Sequence, residues 1–372
     1  DIAGFSGGEA DELRRAMGFK RPDRKMERIT QNLRNGMTKN NIPEDVQDRI
    51  VEYTKAFANY GFPESHAYSF ALLAYASAYY IIHFRACFMT AMFNNYPLGF
   101  YSAATLVKDA QRHGLHFRHL DINLSDYDFT VEEVGGEKQV RVGLRFVRGL
   151  REAVGRAVVE ERESGGIFAD LADLLRRVPE LNKREVRALS FAGALNFENS
   201  VHRREALWQS ELELRPKGTL FEQTTKAEET DSHFLSRLEG VDLVAADLKK
   251  TGISIGRHPM SFVRERLNTC GILTADQTRN LRRGDVVSVA GAVIIRQRPM
   301  TAKNVVFVTL EDETGFSNFV VMPDVFESYR AVINRSDFLI IRGIFEERGM
   351  LKALYFSPLS GISTEVVSHD FR

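Results

Sequence analysis

Cysteine is nearly absent: Cys87 and Cys270 are the only two in 372 residues, far apart and in no CxxC pair. That excludes a disulfide framework and a cysteine-based zinc site, and it points to a reducing compartment, the cytoplasm. Net charge is absent too. Fifty Lys and Arg balance fifty Asp and Glu, so bulk charge indicates no polyanionic partner and any basic signal must be local. Long apolar runs are also missing. The uncharged run Ala67 to Ile82 falls short of the ~20 residues that cross a bilayer. It is rich in Tyr, Ser and Ala and is followed by His83 and Arg85, so a buried helix is expected rather than a membrane span. Residue 1 is Asp, no signal peptide follows, and the chain reads as a piece of something longer.

What is present suits a soluble protein of two or three domains, with 44% hydrophobic and 27% charged residues. The organising stretch is Phe57 to Asn95. It opens on a turn signal, Tyr60-Gly61-Phe62-Pro63, with Glu64, Ser65 and His66 placed to begin a helix. Phe70, Leu73, Ala74, Ser77, Ile81, Phe84, Phe88 and Met92 then recur at helical spacing, which predicts one long buried helix. Ser65 and His66 would sit at its N-terminus, where free N–H groups and the helix dipole favour phosphate. Upstream, Glu9 to Gly18 reads as a short helix with a glycine stop. From Arg14 to Lys39 nine basic residues face two acidic ones, either a solvated helical face or a local phosphate-facing patch.

After Pro97-Leu98-Gly99-Phe100, a helix over Ser102 to His113 ends at Gly114, and Leu115 to Ile122 reads as a strand. His113, His116 and His119 suggest a metal site by spacing. Gly114 breaks the helix, however, and a strand would turn His116 and His119 to opposite faces, so surface histidines are expected. Val131 to Val142 reads as a hairpin around Gly135-Gly136. The Gly143 to Val159 segment has the form of a helix-hairpin-helix unit, with a weaker second half at Leu189 to Leu195. Such a turn lets backbone N–H groups meet DNA phosphate without reading sequence, and Arg148, Gly149, Arg151 and Arg156 would serve it.

Residues 215–235 read as a linker, in which Thr219-Leu220-Phe221 is a poor match to a sliding-clamp-binding peptide. Helices interrupted by Gly and Pro follow to 283. From Asp285 the period becomes two: strands at Val287 to Ile295, Asn304 to Leu310 and Phe316 to Met322, a helix at Pro323 to Ile333, then strands at Phe338 to Phe345 and Leu351 to Phe356. That order suits an OB-fold barrel, with Glu311-Asp312-Glu313-Thr314-Gly315 as a turn. Phe307 lies opposite Val306, Val308 and Leu310, where it could stack on a base beside Arg296, Arg298 and Lys303.

The motifs GFSGGEADELRRAMGFKR and FANYGFPESHAYSFALLAYASAYY resemble the fingers of the C-family (DnaE-type) bacterial DNA polymerases, the group of the replicative polymerase III alpha subunit. Pro63-Glu64 stand where replicative members carry Asn-Lys. With GFYSAATLVKDAQRHG and VIIRQRPMTAKNVVFVTLEDETG, that departure resembles the error-prone, damage-tolerant branch. The resemblance implies mostly α-helical fingers and tandem helix-hairpin-helix regions followed by a β-barrel OB-fold domain. Its boundaries would be 1–100 for the C-terminal part of the fingers, 101–214 for the helix-hairpin-helix region, 215–283 for a linker and connecting helices, 284–357 for the OB domain and 358–372 for a tail.

It further implies a bacterial cytoplasmic enzyme that transfers deoxynucleotides from dNTP substrates to a primer on template DNA. Mg2+ would be held by palm carboxylates that this chain lacks, so the chain alone is expected to be inactive. Arg14, Arg15, Lys20, Ser65 and His66 become the candidates for nucleotide contacts. Primer-template and single-stranded template DNA are the expected partners, with a mutasome accessory protein and, through it, the sliding clamp. The alternatives are a free-standing nucleic-acid-binding module or an inactive truncated remnant. Exposed apolar surface is expected in residues 1–100 if no palm is there to dock on.

Overall fold

The computed structural model describes residues 2–17, 23–60, 64–99, 101–197, 203–213, 238–299, 304–346, 349–361 and 369–371. The chain forms two compact units, one of Asp1–Ile82 with Arg298–Val306 and Arg372, the other of His83–Gln297 with Phe307–Phe371.

The first unit holds α1 (Gly7–Met17), α2 (Asp23–Lys39), α3 (Glu44–Tyr60) and most of α4 (Glu64–His83). A capping box starts α1. The Glu9 carboxylate accepts from the Ser6 amide at 2.9 Å and its hydroxyl at 2.8 Å, while the Ser6 hydroxyl faces the Glu9 amide at 3.4 Å. Leu33 and Met37, four apart on α2, bury against Val51 of α3, with Ala3 and Phe5 packed alongside. Gly36 allows this: a Cβ there would stand 2.0 Å from the Ala3 carbonyl oxygen.

The long helix expected over Phe57 to Asn95 is three pieces. The end of α3 precedes α4, and Phe84, at φ −136° and ψ 42°, separates α4 from α5 (Arg85–Asn94). Nor is α4 buried. Its residues are apolar on every side, and Tyr68, Phe70, Leu72, Leu73, Tyr75, Tyr79, Tyr80 and Ile82 are all exposed. Helical spacing predicts a helix, but it does not say what packs on it.

In the second unit α5 and α6 (Ala103–Arg112) lead to β1 (Phe117–Arg118), β2 (Thr130–Val134) and β3 (Glu137–Arg141). The strand expected over Leu115 to Ile122 shrinks to the two residues of β1, which pair parallel to β3. The hairpin around Gly135-Gly136 is present. Phe93 stacks on Phe129 at 4.9 Å, with Phe117 and Phe146 edge-on, and this aromatic knot centres the core. The Asn94 side chain pairs with both the amide and the carbonyl of Phe129, at 2.8 and 2.9 Å, and Asn123 does the same for Phe168. Among the described residues five α-helices follow: α7 (Glu152–Gly165), α8 (Leu171–Arg177), α9 (Lys183–Ala192), α10 (Arg203–Glu213) and α11 (Gly240–Thr251). The expected linker and its Thr219-Leu220-Phe221 lie outside the described residues.

After α12 (Arg264–Thr269) comes the sheet domain: β4 (Val286–Gln297), β5 (Val306–Glu311), β6 (Phe316–Val321), α13 (Pro323–Arg335), β7 (Phe338–Phe345), β8 (Met350–Pro358) and β9 (His369–Phe371). The five strands and the helix expected from the period-two pattern are there. Strand order is β5-β6-β8-β7-β4-β9, and β5 also pairs with β4, so pairings among the first five strands return to their start. Within the residues assigned to the tail, β9 pairs parallel to β4, His369 opposite Ile295.

Candidate nucleic-acid interface

The hairpin ahead of α7 begins as a tight turn over Leu144–Phe146 and reverses at Gly149, whose φ of +96° is a conformation that side chains strain to adopt. It delivers the chain into the N-terminus of α7, where Arg151 is the cap residue and gives no side-chain cap bond. Amides of a helix's first turn have no partner within the helix, so turn and helix start form one donor-bearing corner.

The flanking arginines divide in role. Arg151 is bound to Glu185 of α9: its Nε donates at 2.8 Å, Nη2 at 2.9 Å, and its backbone amide at 3.1 Å, while Nη2 also donates to the Glu180 carbonyl at 2.7 Å. The Glu185 side chain is 1% exposed. Its carboxyl is held below the usual range chiefly by Arg151, and it completes a capping box with Asn182. Arg151 therefore ties the start of α7 to the start of α9. Arg148 donates its amide to the Lys250 carbonyl at 2.8 Å and sets its guanidinium beside the last turn of α11, favourable for the helix dipole. Arg156 lies over the Tyr127 ring at 4.5 Å and pairs with Glu152. The Leu189 to Leu195 segment is the end of α9, with Gly193 as a left-handed cap.

On the sheet domain, Phe307 is half-buried while Val306, Val308 and Leu310 are buried, so it does face away from the interior. Arg296, expected beside it as free charge, is 8% exposed. Its Nε donates to the Ile333 carbonyl at 2.7 Å and Nη2 to that of Ser336 at 2.6 Å, so it closes the C-terminus of α13. A strand residue next to a helix end has carbonyls to satisfy, and alternation alone does not reveal them. Arg298 is half-buried, and Lys303 lies outside the described residues.

In the first unit, Arg14 is exposed and paired with Asp11 one turn earlier at 2.8 Å. Arg28 pairs with Glu12 and Arg34 with Asp48, so part of the basic run is a solvated, ion-paired face. Arg15 lies in α1, and Ser65 in the first turn of α4 as expected; Lys20 lies outside the described residues. His66 is exposed, its ring 4.5 Å from that of Phe70.

The reading of Glu311-Asp312-Glu313 as a mere turn misses a buried charge cluster between α6 and the sheet domain, within the second unit. Glu311 accepts from the Thr105 hydroxyl at 3.2 Å and lies 2.9 Å from Arg112 Nη2, though no N–H is aligned on that contact. Asp312 accepts from the amides of Thr314, Gly315 and Ala275 and pairs with Arg264 at 3.1 Å; Arg264 also pairs with Glu313. Lys108 donates to the Gly256 carbonyl at 2.5 Å and to Gln111 at 3.0 Å. Burial pushes the Glu311 carboxyl up to about 7 and the Lys108 ammonium down to about 8, and it holds His258, facing three cations, down to about 3. The only signal in the sequence was the acidic triplet itself. Asp247, which receives Arg203 at 2.6 Å and the Ser254 hydroxyl at 2.8 Å, had none.

Residues 114–206 match the model of the family described as a helix-hairpin-helix motif. The chain is 42% identical over 355 residues to an error-prone DNA polymerase of Anaeromyxobacter sp. (strain K), covering 93% of this chain and 31% of the relative. To an error-prone DNA polymerase of Mycolicibacterium paratuberculosis it is 40% identical over 377 residues, covering 100% of this chain and 34% of the relative. The chain is a relative of the error-prone DNA polymerases. It spans about a third of their length. Among solved structures, telomere capping protein Ten1 from Saccharomyces pombe is similar over 25% of this chain and 84% of its own, at 20% identity and a TM-score of 0.18. Among the described residues no helix is long and apolar enough to cross a membrane, and no three His, Cys, Asp or Glu side chains stand together to hold a metal ion.

Proposed function

We propose that this chain serves as part of an error-prone DNA-directed DNA polymerase acting in damage-induced mutagenesis and translesion synthesis. The observation that carries this is the 40–42% identity to such polymerases across 93–100% of the chain, together with the helix-hairpin-helix match. The hairpin at Arg148 and Gly149 and the start of α7 hold duplex DNA by its phosphates, with Arg151 as the positioning residue behind them. The sheet domain serves as an OB-fold barrel, a reading supported by the closed circuit of pairings through β4, β5, β6, β8 and β7. Phe307 stacks on single-stranded template there, and Arg298 and Lys303 supply charge; Arg296 is removed from that set. Arg14, Arg15, Lys20, Ser65 and His66 contact the incoming dNTP. Mg2+ would stabilise phosphoryl transfer in such an enzyme. An accessory protein and the sliding clamp complete the set of partners.

The test is DNA binding by the purified chain, followed by fluorescence anisotropy across a salt series. Duplex affinity should fall linearly in log–log with salt, and Arg148→Ala should weaken it several-fold. Salt-insensitive or absent binding would defeat the reading. Phe307→Ala should weaken single-stranded DNA binding while leaving duplex binding alone. In a full-length polymerase carrying this segment, Glu64→Lys should lower the nucleotide KM, because it replaces a negative charge at the start of α4 with a positive one.

A further inference from the structure

Helix α6 carries two cations one turn apart, Lys108 and Arg112, on one face. Lys108 is 8% exposed and the Arg112 side chain 14%. Within the second unit they line a cavity of about 340 Å³, together with the loop that bears Gly256, Arg257, His258 and Ser261. That volume lies at the lower end of the ~300–1,000 Å³ range of small-molecule sites.

The lining holds donors in excess. Lys108 has three N–H bonds and gives two of them to neutral acceptors, the Gly256 carbonyl and the Gln111 side chain. His258 accepts from the Met260 amide on Nδ1 at 3.2 Å, so its neutral ring carries the proton on Nε2. That N–H has no partner among the described residues, although His258 is only 8% exposed. Arg257 is exposed, lies over the Phe262 ring at 5.1 Å, and makes no ion pair among the described residues.

The charge is out of balance in the same direction. Glu313 is the carboxylate of the lining, and Arg264 binds it twice. Glu311 meets Arg112 at 2.9 Å outside the lining. Lys108 and Arg257 are left without an ion pair among the described residues. Burial, and then the three cations Lys108, Arg112 and Arg264, hold the His258 ring neutral. A buried ammonium without a counter-charge is costly, and an anion in the cavity would supply one. Duplex DNA does not fit, because its phosphates sit on a rigid cylinder and meet surface cations, whereas Lys108 and His258 are buried. A small oxyanion can enter and accept from ammonium, imidazole and guanidinium at once.

We propose that this cavity binds a small phosphate-type anion, held by Lys108 and the His258 Nε2–H within and by Arg257 at the mouth, with Arg112 adding charge to the wall. The anion ties α6 to the loop that leads toward the sheet domain, and it stabilises the folded second unit because the unfolded chain has no such site.

The experiment is isothermal titration of the purified chain, free of DNA, in chloride buffer of fixed ionic strength. Inorganic phosphate is the ligand in one arm and pyrophosphate in the other. At least one should bind saturably at one to one and slow amide exchange across 255–261. Arg257→Ala should weaken that binding at least ~10-fold, as loss of a charge-assisted contact does. Lys108→Met should abolish it, and Arg330→Ala on α13 should leave it unchanged. Arg257 is exposed, so its variant keeps the fold and decides the matter if Lys108→Met does not fold. Tighter binding of pyrophosphate assigns the site to a diphosphate; equal binding assigns it to a single phosphate group. No saturable binding of either anion, unchanged affinity in Arg257→Ala, equal protection by added chloride, or displacement of the bound anion by a short DNA duplex would each overturn the proposal. The titration uses no DNA, so its failure leaves the DNA-binding reading of the hairpin standing, and the reverse.

Discussion

The two units solve opposite problems. The first leaves eight large apolar side chains of α4 in water, and among its described residues Leu33, Met37 and Val51 form a core cluster with partly buried neighbours. The second does the reverse, taking Glu311, Asp312, Lys108 and Glu185 out of water and compensating each with a cation, a hydroxyl or a backbone group. Burying a charge is costly unless it is paired, and pairing demands geometry. The second unit is therefore specified by its polar groups as well as by its apolar core. The first is specified only as far as its apolar residues find cover.

Core truncation should separate the two most sharply. Phe93, fully buried in the aromatic knot, should cost about 3–5 kcal/mol as Phe93→Ala in denaturant melts. A loss under ~1 kcal/mol would show that the knot is loosely packed.

The buried carboxyl comes next. The native Glu311 keeps its proton up to about 7, against 4.5 for the unfolded chain. Between those values the native state holds a proton that the unfolded state has lost, so stability falls as pH rises, by up to about 3 kcal/mol. His258 acts the other way, since below 6.5 the unfolded chain gains a proton that the native imidazole refuses until about 3. The contribution of Glu311 is thus read as the difference between wild type and Glu311→Gln. The variant should gain on wild type from pH 4.5 to 7; parallel profiles would remove Glu311 as a buried acid.

Smaller still is Glu185→Ala. It deletes a capping box and the grip on Arg151, and about 1–2 kcal/mol should be lost, because Arg151 can return to water. It should also loosen DNA binding by freeing the hairpin; unchanged affinity would limit Arg151 to stability. Smallest is Tyr75→Ser, which should shift stability by less than ~0.5 kcal/mol, as for other exposed sites. A large loss there would mean that α4 is covered within this chain, and the contrast between the units would fail.

The strands of the sheet domain were legible because a half-buried strand writes its period directly into the sequence, as Val306, Phe307 and Val308 show. The hairpin at Gly135-Gly136 was legible through turn chemistry, and so was the helix expected over Ser102 to His113, which Ser102 caps. Helix α4 was legible as a helix but not as an exposed one, for apolar periodicity states a need for cover without naming the cover. The break at Phe84 had no proline or glycine to announce it. Arg296 misled because its partners, the carbonyls of Ile333 and Ser336, lie about forty residues away. The capping box of Asn182 and Glu185 is local, but the grip of Glu185 on Arg151 reaches across thirty-four residues and was not legible.

What the sequence determined by itself is local: where helices and strands run, where glycine must turn the chain at Gly149, and that Phe307 faces away from Val306 and Val308. The kinship to error-prone polymerases belongs here too, because the motifs are contiguous. Only the tertiary structure decided which charges are buried and with whom, as with Glu311 beside Arg112, Glu185 beside Arg151 and Arg296 on α13. Burial and pairing are set by residues far apart in the chain, and the energy of a charge depends on what surrounds it rather than on its neighbours in sequence.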